Sequence, residues 1–186
     1  KMLTLEPLST NYLGGFNLPF DGSRRNVVRY DSPVFSGFML SASWGTGDNI
    51  VGFGGVNYAS EDVIDVAIKY AGEFGGFRVA AGVGYRDENK AVFLTGLNNR
   101  VSVLAGSASV KHMTSGLFAN VAAGKVDGEF LALGPMTRTD LTGYHVQAGI
   151  EKKPFSVGVT TFYGEWSQLK AEGETEKPGM IGAGLL

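Results

Sequence analysis

The sequence predicts an all-β chain, an antiparallel β-barrel of the transmembrane kind, and three observations carry that prediction. Apolar and polar residues alternate with period two over eight segments, each of roughly 8–12 residues. The connections between these segments are alternately short and long, and strands of that length suit a membrane barrel, whose spans need ~9–11 residues. No run of ~18 apolar residues is present to cross a membrane as a helix. Glycine adds a further signal. It makes up 28 of 186 residues, about twice the ~7% average, and inside strand patterns it marks bends, bulges and close backbone approach.

Residues 1–25 are irregular and contain the Gly-rich NYLGGFNLPFDG at 11–22. Residues 26–32 read as a first strand and 35–45 as a second, joined by a tight turn at Ser32-Pro33. In the second strand Phe38, Leu40, Ala42 and Trp44 alternate with Met39, Ser41 and Ser43. The stretch 45–62 reads as a long Gly-rich loop. Residues 62–74 then set Ile64, Val66, Ile68 and Tyr70 against Asp65, Ala67, Lys69 and Ala71. After Gly75-Gly76, residues 77–88 set Phe77, Val79, Ala81, Val83 and Tyr85 against Arg78, Ala80, Gly82, Gly84 and Arg86. A connection covers about 89–104. Segments 106–113 and 117–126 pair across Thr114-Ser115-Gly116, and a long connection runs over 127–141. Segments 142–153 and 156–166 flank a turn at Pro154 and put Tyr144, Val146, Phe162 and Trp166 on apolar faces. The whole of 1–186 reads as one domain, with strands over 26–166 and a loop and short tail over 167–186. The start at Lys1 rather than Met suggests a processed or partial chain.

Alternation fits two solvents. A soluble β-sandwich binding module turns its apolar faces inward, whereas a membrane barrel turns them to lipid and lines water with the polar faces. Two details favour lipid. Aromatics cap the apolar faces near strand ends, at Trp44, Tyr70, Phe77, Tyr85, Tyr144 and Trp166, as rings with an apolar body and a polar edge do at a membrane interface. The opposite faces carry mid-strand charges, Arg29, Asp31, Asp65, Lys69, Arg78, Glu151 and Glu165, beside many Ala and Gly. On this reading Phe38, Leu40, Trp44, Tyr70, Tyr85, Tyr144 and Trp166 face lipid. Arg29, Asp31, Asp65, Lys69, Arg78 and Glu165 line the interior.

Composition excludes several functions. The net charge of −2 offers no basic excess for nucleic acid, and the absence of cysteine removes disulfides, zinc–thiolate sites and thiol nucleophiles. His112 and His145 lie on separate strands without metal-ligand spacing. No serine sits in a Gly-x-Ser-x-Gly elbow. Gly52, Gly54 and Gly55 are not followed by the Lys-Ser/Thr of a phosphate loop. Asp48, Glu61 and Asp62 offer carboxylates for a hard cation in an external loop, against a reading as simple solvation. The chain thus reads as no enzyme, with no catalytic residue, no cofactor and no metal site.

RRNVVRYDSPVFSGFMLSASWG, followed by DVAIKYAGEFGGFRVAAGVGY and later TTFYGEW, resembles the Gram-negative general porins, especially the alphaproteobacterial ones. The resemblance spans about 20–170. It implies part of a sixteen-stranded outer-membrane barrel that is a homotrimer when full length, set in membrane lipid and lipopolysaccharide. Its water-filled channel passes ions and small hydrophilic solutes by passive diffusion. It also implies that residues 1–25 end an inward-folded constriction loop, so that Arg24, Arg25 and Arg29 stand at the basic side of the narrowing, where lumen charges bias the passing ions.

Overall fold

The computed structural model describes residues 26–46, 49–51, 57–92, 97–130, 137–138, 140–155, 158–171 and 179–185. Its elements are β1 (Asn26–Asp31), β2 (Phe38–Thr46), β3 (Asn49–Val51), β4 (Asn57–Phe74), β5 (Phe77–Val92), β6 (Leu97–His112), β7 (Leu117–Asp127), β8 (Glu129–Phe130), β9 (Thr137–Arg138), β10 (Leu141–Phe155), β11 (Gly158–Ala171) and β12 (Gly179–Leu185). No helix occurs among the described residues. Ten strands form one antiparallel sheet in the order β1-β2-β4-β5-β6-β7-β10-β11-β12, with β3 paired to β4, and β8 and β9 form a separate small ladder. Within the described residues the sheet is not closed: β1 and β12 each pair on one side only.

The eight alternating segments reappear as β1, β2, β4, β5, β6, β7, β10 and β11, but several run longer than the alternation. β4 has 18 residues, and β5 and β6 have 16 each. Parts of 45–62 and 89–104 that read as loops continue the ladders, from Asn57 down β4 and through Val92 into Leu97. Backbone pairing needs no side-chain alternation. A strand already in register continues past the level where one face must be apolar, and the sequence signal fades first. The tail read as loop is strand β12, laid along β11 from Gln168 to Phe162. Pro154 does not end a strand either: β10 continues to Phe155, with a register shift between Lys152 and Phe155 absorbing the irregularity.

The first turn is not Ser32-Pro33 but Ser36-Gly37. Both residues have positive φ, 50° and 86°, as a two-residue hairpin turn that matches strand twist demands, and Phe35 and Phe38 exchange both backbone hydrogen bonds at 2.9 Å. Pro33, with no N–H to donate, sits in the approach instead. Gly75-Gly76 repeats the geometry at φ 56° and 80°. Gly116 is the strictest position. Its φ is 75°, and an added Cβ would lie 1.9 Å from the Glu151 carbonyl oxygen. Its own carbonyl accepts the Glu151 N–H at 2.9 Å, tying the β6–β7 turn to β10.

Cross-strand register sorts the side chains onto two faces. All the buried residues, among them Val63, Glu88, Val101, Val126, His145 and Leu169, lie on one face, called inner here. The outer face exposes large apolar residues such as Val28, Leu40, Trp44, Ile64, Val66 and Phe162. On it the upper aromatics step steadily against the ladder. Trp44 lies level with Asp87, two residues beyond Tyr85. Tyr85 lies level with Thr142, and Tyr144 sits two residues lower; Tyr144 lies level with Gln168, and Trp166 sits two lower again. Three two-residue steps over six strand pairings are one residue per strand. At ~3.3 Å per residue and ~4.8 Å between strands this slope is about 35°, within the ~35–45° tilt of membrane barrels.

The Gly116 contact yields a test of the fold. Gly116→Ala is expected to lower the temperature at which the folded, fast-migrating band is lost on an unboiled gel, because it combines a positive φ with a backbone clash. Gly75→Ala, with open space around its Cβ position, should cost less. Equal tolerance at both glycines would refute the turn geometry.

Candidate functional site

The candidate site is the inner wall, and the strands place its charges by period two. Arg29 and Asp31 of β1 face Ser43 and Ser41 of β2, which in turn face Asp65 and Ala67 of β4. The Arg29 guanidinium donates to Asp31 Oδ1 from Nη2 at 2.8 Å and from Nε at 3.1 Å. Ser41 donates to the same oxygen at 2.5 Å, and Ser43 donates to Asp65 Oδ2 at 3.2 Å. Asp65 lies opposite Arg86 of β5, and Lys69 opposite Gly82. These residues border a groove of about 740 Å³ floored by Ala67, Gly84, Ala105 and Ser107. The small side chains leave the charged ones standing clear of the wall.

The same wall changes character along the sheet. On β7, β10 and β11 one level holds Asn120, Gln147 and Glu165 side by side. Asn120 Nδ2 donates to Gln147 Oε1 at 2.7 Å, and Gln147 Nε2 donates to Glu165 Oε2 at 3.4 Å. One level above, His145 and Ser167 are buried and hydrogen-bonded at 2.8 Å. Toward the short turns Arg78 pairs with Glu73 at 2.6 Å and Lys111 with Glu151 at 2.5 Å. At the long-connection end Val101, Val103, Ala105, Val126 and Leu169 pack together on the inner wall, with the buried Glu88 and Arg86 opposite Val101 and Val103. Little free charge results: Arg29, Arg78 and Lys111 are each matched by a carboxylate.

Of the residues singled out from sequence, Arg29, Asp31, Asp65, Lys69, Arg78 and Glu165 all lie on the inner face. Phe38, Leu40, Trp44, Tyr70, Tyr85, Tyr144 and Trp166 all lie on the outer one. Phe38 and Tyr70 pack at 4.7 Å between ring centroids. Arg24, Arg25 and Asp48 lie outside the described residues. His112 and His145 fall on opposite faces, His112 outward against Phe77 with centroids 4.7 Å apart. No group of three metal-ligating side chains occurs among the described residues. Sequence reasoning placed Arg86, Lys111 and the Asn120–Gln147 pair in no site. Arg86 was in phase with Arg78, Gly82 and Gly84, so alternation already carried the signal; the amides become visible only through cross-strand register.

The outer face between its two aromatic levels carries no Asp, Glu, Lys or Arg among the described residues. Beyond that belt charge returns. Tyr85 donates from its hydroxyl to Asp87 at 3.2 Å, and Arg100 donates to both Asp87 oxygens from Nε at 2.8 and 2.9 Å. These hydrogen bonds and the guanidinium charge hold the Asp87 carboxyl below its usual range.

Residues 4–184 match the protein-family model described as Gram-negative porin. Neither the curated proteins nor the solved structures give a match.

The amide ladder supplies a prediction. Gln147→Leu removes the acceptor of Asn120 and a donor to Glu165. It should destabilise the folded protein by about 1–3 kcal/mol, the cost of leaving half-sheltered polar groups unpartnered. Urea unfolding followed by gel mobility measures this, and Gln147→Leu with Asn120→Leu together should recover part of the loss.

Proposed function

The chain belongs to the Gram-negative porin family, and from that premise we propose that it lines a water-filled channel for passive diffusion of ions and small hydrophilic solutes across the outer membrane. The family is one of outer-membrane channels rather than enzymes. The observation that carries the proposal is the division of one sheet, with an outer face whose apolar, aromatic-edged belt carries no charge among the described residues and an inner face of charges, amides and small residues. A soluble sandwich would need a second sheet over the apolar face. The described residues place none there. In lipid an unpaired strand edge leaves backbone groups unsatisfied, so β1 and β12 call for further strands to close the barrel, in keeping with a sixteen-stranded channel that assembles as a trimer.

Selectivity on this reading follows from the net charge of matched pairs. No bond is made or broken. Ions and solutes are sorted by size, hydration and the field of the wall. Arg29 and Asp31 sit together at the edge strand, and each is about half exposed, so their pairing contributes little to stability. Their role is electrostatic. Arg24 and Arg25 add positive charge next to them in sequence, at the proposed narrowing, and Asp65, Lys69, Arg78 and Glu165 carry the charge pattern around the wall.

Two outcomes are expected. Val66→Arg and Leu40→Arg should impair outer-membrane assembly far more than Ala67→Arg and Ser41→Arg, since a charge at mid-bilayer on the lipid side costs about 2–4 kcal/mol while an inner charge stays hydrated. Outer-membrane yield and heat-modifiable mobility measure it, and equal tolerance on both faces would overturn the orientation. For selectivity, Asp31→Asn leaves Arg29 unmatched and should move the reversal potential toward anions; Arg29→Ala, or Arg24→Ala with Arg25→Ala, should move it toward cations. Both shifts should shrink in concentrated salt, where the Debye length falls to ~3 Å at 1 M. Reversal potentials that do not respond at low ionic strength would remove these residues from the conduction path.

A further inference from the structure

Toward the short turns the inner wall carries two aromatic rings, Phe118 on β7 and Tyr163 on β11. The register sets both at one level, with Gly149 of β10 between them and Gly184 of β12 beyond. Each ring lies over a glycine of the next strand. A Cβ added at Gly149 would sit 2.7 Å from Phe118 Cζ and 2.9 Å from Cε1, and the three atoms nearest a Cβ added at Gly184 all belong to the far end of the Tyr163 side chain. The rings are therefore laid along the wall rather than stood away from it, and both reach in the same direction across the sheet. They are two strand spacings apart, about 10 Å, and neither is buried. Two residues along the strands, about 7 Å away, the Asn120–Gln147–Glu165 ladder runs parallel to them. Asn120 uses one of its two N–H donors on Gln147, and Gln147 uses one of its own on Glu165. Each amide thus keeps a donor and a carbonyl lone pair, and Glu165 keeps most of its lone pairs.

We infer that this stretch of wall is a carbohydrate subsite that seats two neighbouring pyranose rings of a linear oligosaccharide, one on Phe118 and one on Tyr163, with their hydroxyls held by Asn120, Gln147 and Glu165. The inference rests on the reading of the inner face as a channel wall, and it names a class of solute for that wall. Three features select the occupant. A pyranose has an apolar C–H face and a polar rim, which match an aromatic surface set beside a row of polar groups. A hydroxyl both donates and accepts, as each amide does, whereas an ammonium only donates and would turn its charge toward the amide N–H groups. The spacing gives the third. A cation bound by aromatics sits within ~6 Å of a ring centroid, and rings about 10 Å apart along one wall cannot close around it; they form a track for a repeating unit. An anionic solute would meet Glu165 and a Lys111 already matched by Glu151.

The test takes the protein purified from outer membranes, with maltotriose and cellotriose as probes and choline and a polyethylene glycol of similar mass as controls. Binding is read by calorimetry in detergent and by block of the salt current in planar bilayers. At least one trisaccharide should bind saturably in the millimolar range and block the current, while polyethylene glycol lowers the current only in proportion to its concentration. Phe118→Leu and Tyr163→Leu should each weaken trisaccharide binding about tenfold and leave the salt conductance unchanged. Tyr163→Phe keeps the ring and should keep the affinity. Gly184→Ala displaces the Tyr163 ring without removing it and should weaken binding as Tyr163→Leu does, a result that a merely structural role for the ring would not give. Unchanged trisaccharide affinity in both leucine variants would overturn the site. So would choline binding more tightly than either trisaccharide and losing that affinity in Glu165→Gln, which would make the site one for organic cations. The two readouts separate this inference from the channel itself: salt conductance without saturable trisaccharide binding sinks only the subsite, whereas trisaccharide binding without conductance sinks the channel.

Discussion

Everything in this chain follows from one constraint: a backbone that crosses hydrocarbon must satisfy its own N–H and C=O groups. Strands do so only by pairing with neighbours, so the sheet is continuous from β1 to β12, and each ladder fixes the register of the next. Once register is fixed, every side chain is committed to one of two solvents. The apolar residues outside contribute little to holding neighbouring strands together, since lipid tails are as apolar as they are. The hydrogen-bond ladder and the tight turns carry that task, which is why Gly75, Gly76 and Gly116 hold conformations other residues adopt only with strain.

The inner wall carries much of its charge in exposed or half-exposed pairs. Arg29 with Asp31, Arg78 with Glu73 and Lys111 with Glu151 are close pairs between neighbouring positions. Pairing lowers the self-energy of each charge against a low-dielectric wall. It also means that the field along the interior is a difference of nearly cancelling terms, so a single uncompensated residue weighs more than the count of charges suggests. The neutral ladder Asn120–Gln147 extends the same logic, ending on Glu165, the one carboxylate at that level among the described residues.

Much of this was legible from the sequence, and the misses have a physical pattern. Where one face must be apolar and the other wet, period two is strict, and Leu40, Val66, Tyr85 and Trp166 could be assigned to a face by counting. The fold class, eight of the strands and the sorting of the described candidate residues onto two opposite faces came through that channel. Where a strand leaves hydrocarbon, both faces meet water and the alternation has no cause. So the upper ends of β4 and β5 and the upper half of β6 read as loops, and the Gly-rich β12 read as a tail. The Ser36-Gly37 turn was misplaced because Ser32-Pro33 offered the stronger local signal, although the turn formed has positive φ at both central residues, which proline cannot adopt. Cross-strand neighbours were out of reach altogether. Nothing in the sequence sets Asn120 beside Gln147, or Lys125 beside Thr142 and Lys170, until the ladders are known.

The register that sorts solvents also fixes which residues stand level across the sheet. A slip of one residue in a single ladder would exchange Lys69 and Asp65 with Ile68 and Val66 between the two faces of β4. The tilt makes this coupling stricter. Because the aromatic level shifts by one residue per strand, the residue that meets the headgroup layer on each strand is set by its distance from the first strand as well as by its own sequence. Thus Thr142 and Lys170 lie above the interface on β10 and β11, while Tyr85, their level partner on β5, lies within it. The polar row of Lys125, Thr142 and Lys170 exists only because strand tilt lifts those three positions clear of the apolar belt. The same tilt carries Leu104, between Tyr85 and Lys125 in that row, up to the rim of the belt.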